Sequence, residues 1–237
     1  MMETQVLPDA DAVAREAAAV VAGEARAAVA ARGRFILAVS GGRTPWLMLR
    51  ALAGEDVPWE GVHVVQVDER VAPAGHPDRN LTHLRESLLE RVPVRPSQIH
   101  AMPVESRDLE AAARSYARTL QEIAGSPPVL DLTHLGLGPD GHTASLVPAD
   151  PVLDVAGTDV ALTGVYQGRR RMTLTYPIIN RSRRILWLVT GIDKSGMLVR
   201  LREGDLSIPA GRVRQDRAVL LADRAAAGEI GFSHSIK

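Results

Sequence analysis

"FILAVSGGRTP", Phe35 to Pro45, sets five apolar residues directly against a serine, two glycines, an arginine and a threonine, and closes on a proline. A short, unbroken apolar run is the mark of a strand buried on both faces. Proline suits the first turn of a helix, where its missing N–H has no intrahelical acceptor to lose. The stretch therefore predicts strand, loop and helix, with the polar loop at the carboxyl end of the strand. Parallel sheets covered by helices are assembled from such units.

Outward from this unit the pattern recurs. Upstream, Asp9 and Asp11 can cap an Ala-rich amphipathic helix running to about Arg32, with Gly33 as its stop. Downstream, residues 62–67 read as a second strand ending in Asp68-Glu69-Arg70, followed by a Pro/Gly/His loop and a helix from about Asn80 to Glu90. Residues 109–124 have helical apolar spacing, and 131–137 form a third strand. Further strands are expected at 160–165, 172–176, 185–190 and 218–222, with a helix at 195–202. The fold class is α/β, a mostly parallel sheet flanked by helices, and the absence of repeats or linkers favours one domain over 1–237, with room for a small subdomain.

Composition narrows the function. Of 237 residues 46% are apolar, enough for a substantial core. Lys plus Arg equals Asp plus Glu at 28 each, so nothing in the overall charge calls for nucleic acid or an acidic membrane, and any anion site must be local. With three Trp, three Tyr and two Phe there is no stacking platform for single strands. Cysteine is absent, which removes disulfides, thiolate nucleophiles and Cys-ligated metals and fits a cytoplasmic home. The N-terminal stretch carries acid rather than a basic leader, and Arg15, Glu16, Glu24 and Arg26 interrupt the Ala/Val run, so neither a signal peptide nor a membrane span is expected.

In open parallel sheets ligands settle at the carboxyl ends of strands, and each polar cluster here follows a predicted strand. Ser40, Gly41, Gly42, Arg43 and Thr44 can form a phosphate cradle, because glycines let the backbone approach an anion where the next helix points its positive end; an ordinary small-residue turn is the alternative. This turn lacks the G-x-G-x-x-G spacing of a dinucleotide motif, and no G-x-x-x-x-G-K-[ST] pattern supports a triphosphate. Asp68, Glu69 and Arg70 are either a solvated ion pair or a site in which Arg70 grips a phosphate or polarises a carbonyl. Lys194 supplies a further cation or merely starts a helix.

"LGLGPDGHTASLVP", residues 135–148, frames His142 with Gly138 and Gly141, expected to take positive-φ conformations that aim the ring into a cleft, and with Asp140 to orient it. Such an imidazole can take a proton from water; the alternative is a surface turn. His63, His83 and His134 lie in or beside predicted elements and read as packed, while His76, His100 and His234 fall in a loop, a strand edge and a tail. No His pair has zinc spacing and no G-x-S-x-G elbow is present, so no metal and no serine nucleophile are expected.

The assembled motifs resemble those of the 6-phosphogluconolactonases, in the superfamily that also holds glucosamine-6-phosphate deaminase and, more remotely, ribose-5-phosphate isomerase. They are "AVSGGRTP" at 38–45, "VDERVAPAGHPDRN" at 67–80, "LGLGPDGHTASLVP" at 135–148, "RMTLTYPIIN" at 171–180, "LVTGIDK" at 188–194 and "IPAGRV" at 208–213. The resemblance implies the Rossmann-like fold of that superfamily and hydrolysis of 6-phospho-D-glucono-1,5-lactone, the second step of the oxidative pentose phosphate pathway, without metal or organic cofactor. The expected partner is a small phosphosugar lactone, with no nucleic acid and no membrane, and the chain is expected as a monomer or weak homo-oligomer. By that likeness His142, Asp140 and Arg70 carry the chemistry, and Ser40, Gly41, Gly42, Thr44, Arg70 and Lys194 hold the phosphosugar, with Asp68, Arg43 and Arg171 as lesser candidates. Deaminases resemble G-H-I-A-F-N-E after the shared histidine and Asp-Glu-Tyr at the earlier loop; this chain has Gly141-His142-Thr143-Ala144-Ser145-Leu146 and Asp68-Glu69-Arg70. A phosphosugar deaminase or isomerase and a non-catalytic sugar-phosphate sensor remain as alternatives. Two positions depart from the lactonase pattern: Arg43 and Arg79 stand where serine is usual.

Overall fold

The computed structural model describes residues 2–228, so His234 lies outside the described residues. In chain order the elements are β1 (Glu3–Leu7), α1 (Ala10–Arg32), β2 (Phe35–Val39), α2 (Arg43–Leu52), β3 (Val62–Gln66), β4 (Asp68–Arg70), α3 (Asn80–Leu84), β5 (Ile99–His100) and α4 (Leu109–Ala124). Then come β6 (Leu132–Gly136), β7 (Val160–Leu162), β8 (Arg171–Leu174), α5 (Tyr176–Arg181), β9 (Arg184–Val189), α6 (Ser195–Arg202), β10 (Ala218–Asp223) and α7 (Arg224–Ala227). Among the described residues no helix is long and apolar enough to cross a membrane.

Seven strands form one parallel sheet in the order β1-β10-β9-β6-β2-β3-β5. Its centre is built from the unbroken apolar runs: every residue of β2 and β10 is buried. Alternate side chains feed two cores. On one face Phe35, Leu37 and Val39 pack with α1 and α2; on the other Ile36 and Ala38 pack with α4 and α6. The inner stripe of α1 is mostly alanine, from Ala14 to Ala28, which lets that helix lie close to the sheet. Asp9 caps it by accepting from Ala12 N, and Gly33 ends it in the left-handed region at φ 71°.

Three short strands depart from the expected sheet. Asp68–Arg70 is a strand of its own, β4, rather than a loop ending β3, and pairs antiparallel with β8, which pairs with β7. β4, β8 and β7 together form a separate three-stranded antiparallel sheet. Its inner residues Val160, Met172 and Leu174 belong to the core on the α4 face. The edge strands β1 and β5 are additional to the expected ones, and the expected helix from Asn80 to Glu90 is α3 continued by a π-helical turn, Arg85–Leu89.

Sheet order fixes the position of the site. From β2 the chain steps outward to β3 and β5, then crosses to the other side of β2 for β6, β9 and β10. The crevice at this reversal, between the loops after β2 and β6, is where a doubly wound sheet receives its ligand.

Candidate active site

A cavity of about 230 Å³ opens at the reversal, lined by Ser40, Gly41 and Gly42 after β2, Asp68 and Arg70 of β4, Gly138 and His142 after β6, Lys194 after β9 and Arg171 of β8. The four polar clusters meet because β9, β6, β2 and β3 are neighbours in the sheet. Arg171 joins them because it is the antiparallel partner of Arg70. Arg43 and Thr44 line an adjoining cleft of about 240 Å³ that shares Gly41, Gly42 and Lys194 with the main cavity.

His142 is held by its own loop. Asp140 Oδ1 accepts from His142 N at 3.1 Å and lies 2.5 Å from His142 Nδ1. A carboxylate only accepts, so Nδ1 carries the proton of this hydrogen bond and Nε2 is the ring nitrogen left for other partners. Burial alone would raise the Asp140 carboxyl, but the His142 charge and hydrogen bonds, with a further bond from the Tyr166 hydroxyl, hold it below the usual carboxylate range. Asp140 backs the histidine without lining the cavity. Gly141 has φ 82°, as its loop position predicts. Gly138 does not share that conformation: it is glycine for space, since a Cβ there would lie 2.1 Å from His142 Nδ1.

The wall opposite is built by Asn80, a residue the sequence reading quoted but did not assign. Its Oδ1 accepts from Arg70 Nη1 at 2.8 Å, and its Nδ2 donates to the Asp68 backbone oxygen at 2.9 Å. Ser145 Oγ donates to Asp68 Oδ2 at 2.6 Å, so the buried carboxylate is fixed at two oxygens. Gly41 makes room for this arrangement, because a Cβ there would meet Asn80 Oδ1 at 2.0 Å. Glu69 is fully buried and faces away from ligand chemistry; its oxygens accept from the N–H groups of Arg70, Asn80 and Leu81 and so cap α3 from outside. Arg79, one of the two departures, is likewise structural: its Nε lies 3.1 Å from Glu69 Oε2, and its Nη1 reaches Glu105 and the Ala72 carbonyl.

The cradle is shaped by a histidine expected to be packed. His134, fully buried, accepts from Ser40 N through Nδ1 at 3.2 Å, and Ser40 Oγ donates to the His134 carbonyl at 2.9 Å. Burial pushes its pKa down to about 3, which keeps it a neutral acceptor. Ser40 is thus engaged through its hydroxyl, in keeping with binding rather than nucleophilic use. Gly42 stands at the N-cap of α2 with φ 129° and no side chain to cap it, leaving first-turn N–H groups for an anion. Thr44 Oγ1 shares a 2.6 Å hydrogen bond with Thr190 Oγ1, and Lys194 Nζ pairs with exposed Asp193 at 2.9 Å. Arg171 is buried beside Arg70; burial first and then that neighbouring charge lower its pKa.

The sequence profile described as glucosamine-6-phosphate isomerases/6-phosphogluconolactonase matches residues 8–221. A 6-phosphogluconolactonase of Synechocystis sp. is 42% identical over 166 residues, 68% of this chain and 69% of its own. One of Nostoc sp. is 33% identical over 234 residues, which cover 95% of this chain and 97% of that one. The crystal structure of 6-phosphogluconolactonase from Thermotoga maritima superposes with a TM-score of 0.83 at 25% identity, covering 94% of this chain and 99% of that one.

Proposed function

The chain belongs to the glucosamine-6-phosphate isomerase/6-phosphogluconolactonase family, and from that membership and the cavity's geometry we infer that it hydrolyses 6-phospho-D-glucono-1,5-lactone to 6-phospho-D-gluconate. The observation that carries the reading is one carboxylate-backed imidazole facing a cavity whose other charged groups are Arg70, Arg171, Lys194 and Asp68.

The substrate phosphate docks on the amides of the Ser40–Thr44 turn with Lys194, and Arg171 adds charge from the second sheet. This places C1 beside His142. The imidazole Nε2 takes a proton from water as the oxygen attacks the carbonyl, and Arg70 faces the developing oxyanion. Collapse of the tetrahedral adduct breaks the ring C–O bond, and the proton held by His142 passes to the leaving ring oxygen. Asp140 keeps the imidazole in the required tautomer and orientation. General base catalysis of this kind contributes roughly 10²–10⁴-fold, ample for an activated ester. Opening an aminosugar ring would ask for a further acid near the base, and among the described residues Asp68 is the one acid lining this cavity. The cavity and its cations fit a small phosphosugar as the ligand of a monomer or weak homo-oligomer. The lack of cysteine suits the cytoplasm.

The test is acid release from freshly generated lactone, with and without the protein, after subtracting spontaneous opening. Acceleration is expected; a rate equal to background, or ammonia release from glucosamine 6-phosphate, would overturn the assignment.

A further inference from the structure

Between β7 and β8 the chain turns over Gln167 and Gly168, both at positive φ, with Tyr166 and Arg169 exchanging backbone hydrogen bonds. This is a two-residue hairpin loop of the kind that fixes strand direction tightly. Successive side chains at this tip face opposite ways, as along any strand. Val165 is 72% exposed, whereas the next residue, Tyr166, is turned inward onto the site. Arg169 ties the tip down, donating through Nε to Asp78 Oδ2 at 3.0 Å.

Three contacts of Tyr166 converge on the reacting groups. Its hydroxyl donates to Asp140 Oδ2 at 3.1 Å. Its ring meets the His142 imidazole edge-on with centroids 5.6 Å apart, and the Arg171 guanidinium carbon sits 4.9 Å from the ring centroid on its face. Asp140 Oδ1 is already occupied by the His142 ring and backbone N–H, so the tyrosine hydroxyl takes the other oxygen and removes the carboxyl's freedom to rotate.

We infer that Tyr166 is a positioning residue for this reaction, acting through Asp140 to hold the His142 imidazole and through its ring to seat Arg171. The inference rests on His142 being the base. Tyr166 never touches the water or the lactone; without its hydroxyl, Asp140 swings and the imidazole loses alignment, to which proton transfer is steeply sensitive. The charged and titratable groups facing the Asp140 carboxyl are His142 and Tyr166, and those facing Tyr166 are Asp140 and Arg171.

Tyr166→Phe keeps the ring and deletes the hydroxyl. It is expected to lower kcat about tenfold with KM near its original value, the scale of one hydrogen bond to a charged group. Tyr166→Ala also removes the surface under Arg171 and should raise KM as well. In an Asp140→Asn background Tyr166→Phe should add little, because its route to the base is already cut. Unchanged kcat in Tyr166→Phe, or a full additional loss in the Asp140→Asn background, would overturn the inference. His142→Ala separates the two claims: if that variant retains full turnover the base assignment falls and this inference with it. If it is inactive while Tyr166→Phe is silent, the inference alone falls.

Discussion

At position 138 the distance between glycine and alanine is the distance between an aligned and a displaced imidazole. A Cβ there would stand 2.1 Å from His142 Nδ1 and 2.3 Å from Cε1, so the imidazole itself must move. Gly138→Ala should therefore lower kcat about 100-fold with KM nearly unchanged, the penalty of misplacing a reacting group by around an ångström; steady-state kinetics on fresh lactone reads it directly. His142→Ala belongs to the same class and should cost roughly 10²–10⁴-fold in kcat. Lys194→Ala belongs to another: a cation binding the ground state and transition state alike should raise KM and spare kcat. Equal effects of both on KM alone would refute the division of roles. The residue types of the site were legible because the motifs name them. Their reasons were less so: Gly138 reads as a conformational glycine in sequence, and only the folded ring against it shows that space is the constraint. Asn80 and Ser145 lay inside quoted motifs, but nothing in their spacing announced the Arg70 and Asp68 they hold. Tyr166 lay outside every motif.

Among the elements, β2 and β6 are joined at their carboxyl ends by His134, whose neutral ring receives the Ser40 N–H. The unfolded chain binds a proton at this residue near pH 6.5, while the folded ring stays neutral down to about 3. Protons then favour the unfolded chain throughout that interval. Stability should be full above about pH 6.5 and fall by about 1.4 kcal/mol per pH unit below it, a slope to which His63 and His100, also lowered first by burial, add in the same direction. Urea midpoints at pH 7 and pH 5 measure the slope, and His134→Asn, which keeps an acceptor for Ser40, should flatten it; an unchanged slope would remove His134 from the account. The central elements were readable because their burial is written locally: five apolar residues in β2, two caps on α1. The others depend on partners. β1 is polar on its outer positions and is a strand because β10 lies beside it; β5 is two residues long; β4 is Asp-Glu-Arg, a sequence of low strand propensity held by the backbone of β8.

Over the whole molecule, four loops meet only because four strands adjoin, and that adjacency is a long-range pairing that no local pattern encodes. Sequence places each polar cluster after a strand; the order β9-β6-β2-β3 turns the clusters into one cavity. Charge behaves the same way. The chain sums to zero, with 28 basic and 28 acidic side chains, yet the fold gathers Arg70, Arg171 and Lys194 around one cavity with Asp68 as the acid among its lining residues. The attraction for a dianionic sugar phosphate is therefore local and must pass partly through solvent at the cavity mouth. Raising ionic strength from about 0.01 M to about 1 M shortens the screening length from roughly 30 Å to roughly 3 Å, which weakens the pull on an approaching phosphate while leaving contacts inside the cavity less affected. KM for the lactone should rise severalfold across that range while kcat stays level, and Lys194→Ala should show a shallower dependence than the unaltered chain. A salt effect carried by kcat, or one identical in Lys194→Ala, would mean that the gathered charge does not serve to capture the substrate and that Lys194 points elsewhere in solution.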